Sequence, residues 1–91
     1  MIIANKSLAG EARVPRLYPS DIRPRLQATL AALADLDFAF ESDLETIKKS
    51  AADDGLKRQA MARLHEHHHE RRAPHLQQLA KLEQRIRALA A

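Results

Sequence analysis

Ninety-one residues with no cysteine, no tryptophan, 45% hydrophobic content and a formal net charge of +3 allow one small domain with a modest core. They exclude a disulfide framework and a thiolate metal site. Two glycines and three aromatic residues (Tyr18, Phe38 and Phe40) are too few turn and sheet formers for a β-rich fold, whereas the abundant alanine and leucine favour helix.

The charge is segregated along the chain. Residues 1–25 carry five basic and two acidic groups, residues 26–55 two basic and seven acidic, and residues 56–91 eight basic and three acidic. An overall basic balance is often a sign of nucleic-acid binding. The simpler reading is an acidic helix and a basic helix that neutralise each other. No apolar run has the length of a membrane span, and Met1-Ile2-Ile3-Ala4-Asn5-Lys6 lacks the basic start and apolar stretch of a signal peptide. A soluble, cytoplasmic protein is expected.

Residues 1–20 read as an irregular N-terminal arm, because Gly10, Pro15 and Pro19 interrupt any helix. Its apolar residues, Ile2, Ile3, Leu8, Val14, Leu17 and Tyr18, predict packing across the rest of the chain. Ser20-Asp21 supplies a capping oxygen and an early acid, and Pro24 is close enough to the start to be tolerated. A helix is therefore predicted over about 21–50. Leu26, Leu33, Phe40 and Ile47 recur every seven residues, and Leu30, Asp37, Leu44 and Ala51 form a second row four positions later. Together they describe a coiled-coil-like seam with one charge, Asp37, in it. Ala28, Ala31, Ala34 and Phe38 lie off that seam, so this helix is apolar on more than one side. One partner helix cannot cover it, and a homodimer is expected, with Leu30, Leu33, Phe38, Phe40 and Leu44 carrying the self-association.

A turn is predicted within residues 49–55. Lys48-Lys49 suit a helix C-terminus and Asp53-Asp54 a helix N-terminus. Ser50 with Asp53 resembles a capping box, and Gly55 is an alternative terminator of the first helix. The second helical stretch carries Leu56, Ala60, Met61 and Leu64, then Leu76, Leu79, Leu82, Ile86 and Leu89. Pro74 predicts a kink, or a break into helices of about 55–72 and 75–90. The expected fold is therefore all-α: an antiparallel helical hairpin spanning 21–91, dimerising into a four-helix bundle. Folding the hairpin at residues 53–54 sets Ile47 against Met61, Leu44 against Leu64, Leu26 against Leu82 and Ile22 against Ile86. Asp37 then falls opposite Arg71 and Arg72, in a polar layer midway along the pair.

The segment His65-Glu66-His67-His68-His69-Glu70-Arg71-Arg72-Ala73-Pro74-His75 contains the zinc pattern H-E-x-x-H. On a helix it puts two imidazoles one turn apart with Glu66 placed to activate a water. His75 stands where the third histidine of metzincin proteases stands, which is as far as the resemblance goes. It implies a glycine where this chain has Arg72. A simpler metal site would use His65 and His69, or His68 with Asp37 or Glu41, to hold zinc or nickel. Glu66 and His69 also have the Glu-x-x-His spacing of di-metal bundles. His65, His68, His69 and His75 are thus the candidate ligands, weighed against a plain solvated histidine-rich face. His68 and His75 share a seven-residue row with Met61, Leu82 and Leu89, which leaves room for a pH sensor or, more simply, a register-fixing polar layer.

Arg13, Arg16, Arg23 and Arg25, with Arg63, Arg71, Arg72, Arg85 and Arg87, offer phosphate contacts without the aromatic interleaving that stacks bases. Tyr18-Pro19-Ser20-Asp21-Ile22, then Leu36-Asp37-Phe38-Ala39-Phe40 and a long helix, resembles the rear half of MerR-type regulators over roughly residues 16–47. The resemblance implies a transcription-regulator-like role. Asp37 stands where that family has glycine, and the helix-turn-helix that reads DNA has no counterpart before Tyr18. The reading that covers the whole pattern is a small protein–protein interaction or adaptor module without catalysis. A metal-binding helical protein and a basic accessory factor on nucleic acid are the alternatives.

Overall fold

The computed structural model describes residues 19–90, so the predicted arm, apart from its last two residues, lies outside the described residues. Two helices, α1 (Ile22–Lys49) and α2 (Asp54–Ala90), pack against each other as a hairpin, with no strand among the described residues. None of the described helices is long and apolar enough to cross a membrane.

The ends of the helices follow from local chemistry. α1 closes at Ser50, whose amide and hydroxyl both donate to the Ile47 carbonyl, at 3.1 and 2.8 Å. α2 opens at Asp53, whose carboxylate accepts from the Leu56 amide at 2.8 Å, filling one of the orphan donors of a helix start. Lys57, near the start of α2, reaches back to donate to the Lys48 carbonyl at 3.0 Å, so a side chain of one helix satisfies one of the open carbonyls at the end of the other. The expected turn is there, but its chemistry differs from the capping-box reading. Asp53 is the cap and Ser50 belongs to the preceding helix. Gly55 does not terminate α1. It lies in the first turn of α2 without a positive φ.

Of the kink or break expected at Pro74, the break does not form. α2 is one helix of 37 residues with the proline inside it. Proline removes one amide donor and crowds the carbonyl four residues earlier. The rest of the helix supplies enough hydrogen bonds and packing to carry the chain through.

The core is small. Ile22, Leu33 and Leu82 are the buried hydrophobic residues, at 2%, 7% and 3% exposure, joined by Thr29. The Thr29 hydroxyl donates to the Arg25 carbonyl at 2.9 Å, so its polar group is satisfied inside its own helix. The contact row of α1 therefore runs Ile22, Leu26, Thr29, Leu33, Leu36 and then passes to Asp37, Phe40, Leu44 and Ile47. The predicted second row placed Leu30 and Ala51 in the seam, and both are exposed. A helix of 3.6 residues per turn drifts against a seven-residue repeat. Near its start, α1 turns the row four residues before the Leu26 row (Ile22, Thr29 and Leu36) toward its partner rather than the row four after it.

Candidate functional site

Midway along the hairpin, the one charge in the α1 seam faces the polar middle of α2. The Asp37 carboxylate accepts from Arg72 Nη1, and its Oδ1 lies 3.0 Å from His68 Nε2. The His68 side chain is only 16% exposed, Arg72 27% and Asp37 48%. The Arg72 hydrogen bond, outweighing the cost of partial burial, holds the Asp37 carboxyl below its usual range. Arg71, expected to share the layer, is exposed. Adjacent helical positions are separated by about 100°, and Arg72 has the position that faces α1.

The stretch from His65 to His75 has no large aliphatic side chain, and Phe40 fills that space. Its ring stacks on His68, with centroids 4.1 Å apart and planes 9° from parallel, and meets the His65 ring edge-on at 4.9 Å and 68°. Imidazole faces thus do the packing that leucines do elsewhere along the seam. The sequence signal was available, because the register that pairs Leu44 with Leu64 also sets Phe40 beside this segment. Beside the layer, Leu36, Ala39, Phe40, Leu64, His67 and Arg71 line a cleft of only about 30 Å³, which is about one water.

A second polar contact ties the open end. Asp21 is the residue before α1, but its carboxylate does not cap the helix. It accepts from Arg85 through both guanidinium nitrogens, at 3.0 and 3.1 Å, and from Arg25 Nε at 3.1 Å. The forked contact to Arg85 lowers the Asp21 pKa and raises that of Arg85. The pairing of Ile22 with Ile86 implied this neighbour contact one residue away.

Among the described residues, no three histidine or carboxylate side chains come together to hold a metal ion. The four candidate ligands do not share one setting: His65 and His68 lie against Phe40, His68 also on Asp37, His75 is half-buried and His69 is exposed. The H-E-x-x-H spacing is real, but His65 packs on an aromatic ring while Glu66 and His69 point to solvent. What the Asp37, His68, Arg72 and Phe40 layer can do chemically is fix register. Sliding either helix by one residue turns the carboxylate away from both Arg72 and His68.

Of the five residues expected to carry self-association, Leu33 is buried within the hairpin, and Phe40 and Leu44 are half-buried. Leu30 and Phe38 remain outside, at 48% and 76% exposure.

Acid should loosen this arrangement. The ordinary aspartate pKa is 3.8, and both Asp21 and Asp37 lie below it in the fold. Their contribution is complete above the unfolded value and is lost as pH falls through the folded values. Helicity followed by circular dichroism should hold steady from pH 7 to 5 and decline below about pH 4. The Asp21→Asn, Asp37→Asn double variant should start less stable and show a flatter acid limb. An identical limb in both proteins would assign the acid sensitivity to other groups.

In comparisons with known proteins, the chain matches no family model, and no curated protein or solved structure is significantly similar to it.

Proposed function

We propose that this chain is a small helical interaction module that works by self-association and by presenting the resulting surface to a partner protein. The single observation that carries the reading is the outer face of α1. Leu30 and Phe38 stand exposed there, with the exposed Ala31 and Ala34 between them. A soluble helix normally turns its apolar residues to one side. α1 instead has a row against α2 and a second row, centred on Ala34, about 120° away. Two separate apolar faces are what a helix with two neighbours in a four-helix bundle requires. The Asp37 layer supports the same reading as a device that fixes how the two helices meet before anything else binds.

Size-exclusion chromatography with light scattering tests it. A dimer is expected at tens of micromolar, and Phe38→Glu should convert it to monomer, because a charge at the centre of an apolar contact must be desolvated. Phe38 is exposed, so the hairpin itself should keep its helicity. A wild-type chain that stays monomeric at that concentration would sink the proposal.

A further inference from the structure

We infer that the second copy docks on the outer face of α1 antiparallel to it, with a two-fold axis passing beside Ala34, so that Leu30 of each chain meets Phe38 of the other. This rests on the self-association reading above and adds the geometry.

Along that face, Arg23, Gln27, Leu30, Ala34, Phe38, Glu41 and Glu45 fall on one strip of the helix and all are exposed. The strip from Arg23 to Glu45 is about 33 Å long at 1.5 Å per residue. Its order is self-complementary. With Ala34 on the axis, Leu30 pairs with Phe38, Gln27 with Glu41, and Arg23 with Glu45 of the second copy. A two-fold contact requires this reciprocity: if one residue meets another across the axis, the second must meet the first. Alanine at the centre lets the backbones approach closely, and the large Leu30 and Phe38 alternate to either side of it.

Charge decides the direction. In a parallel pair Arg23 would sit beside its own copy, as would Glu41 and Glu45, giving like charges at both ends. In the antiparallel pair the basic start of each strip lies on the acidic end of the other. The helix dipoles favour the same choice. The structure already holds a seat for the incoming arginine. Phe38, Glu41, Ser42, Glu45, Thr46 and, at its far end, Lys49 line an open groove of about 500 Å³ on α1, with two carboxylates to one ammonium, and the reciprocal register brings Arg23 of the second copy to it. There it meets Glu41 and Glu45. Among the described residues, Glu45 pairs with Lys49 along its own helix at 3.7 Å.

The chain has no cysteine, so single introduced thiols report position cleanly. Oxidation of full-length Ala34→Cys with diamide should give a disulfide-linked dimer. Leu30→Cys alone should give little, while an equal mixture of Leu30→Cys and Phe38→Cys chains should give a mixed dimer. A charge exchange supplies a second test without new thiols. Glu45→Arg should weaken the dimer about five- to tenfold, since each change acts twice by symmetry. Adding Arg23→Glu to the same chain should restore it. Strong cross-linking of Leu30→Cys to itself, or no recovery in the exchanged chain, would overturn the antiparallel register while leaving self-association in place. A wild-type monomer by light scattering would overturn both.

Discussion

Leu82→Ala should lower the stability of the folded chain by about 2–4 kcal/mol, the range for truncating a buried leucine. Leu82 is 3% exposed and is the only buried residue that α2 contributes among those described, whereas α1 contributes Ile22, Thr29 and Leu33. In a core this small there is little surrounding side chain to relax into the space, so the cavity term adds to the lost transfer energy. A small domain has few kcal/mol to lose, and the variant should be largely unfolded at 37 °C. Urea melts followed by circular dichroism are the measurement, at one fixed protein concentration because association raises apparent stability. Leu89→Ala is the control: Leu89 is 48% exposed, and the change should fall within about 0.5 kcal/mol. Equal effects from the two variants would mean that Leu82 is not a core residue.

Pro74→Ala should act in the opposite direction, raising stability by about 2 kcal/mol. A proline inside a helix costs about 3 kcal/mol relative to alanine, from the missing donor and the clash with the carbonyl four residues earlier. Part of the gain is offset because alanine leaves the unfolded chain freer than proline does, by up to about 1 kcal/mol. The new amide would donate to the Glu70 carbonyl in the middle of α2. Pro74 itself is exposed and borders an open groove lined with Arg25, Gln77, Gln78, Lys81, Leu82 and Arg85, so the change removes little buried surface. The urea midpoint and the helical signal should both rise. A midpoint that stays put would overturn the placement of Pro74 inside one unbroken helix.

These two positions mark where reading the chain succeeds and where it stops. Leu82 is legible as a core residue, because the stripe Leu76, Leu79, Leu82, Ile86 and Leu89 has helical spacing and pairs with Leu26 once the hairpin is closed. That stripe does not say which of its members is covered. Leu76 and Leu89 are 41% and 48% exposed, since burial depends on how α1 lies across the stripe. Pro74 reads as an interruption on propensity alone. Whether the helix goes on is a contest between a local penalty of about 3 kcal/mol and the cooperative hydrogen bonding on both sides of it, and only the latter depends on tertiary packing.

The sequence by itself determined the helical class, the turn after Lys49 and the acidic–basic partition, because these rest on spacing, capping residues and charge blocks that act over a few positions, while it left the second stretch open to a break at Pro74. It also brought Asp37 to the polar middle of α2, since one register satisfies all the apolar pairs at once. The tertiary structure decided the rest. It selected Arg72 over Arg71 and set the Asp21 carboxylate, at the start of α1, on Arg85, 64 positions along the chain. It put Thr29 inside and Leu30 outside. In each case local chemistry leaves more than one outcome open. The choice is made by the angle at which the second helix arrives, which no local pattern carries.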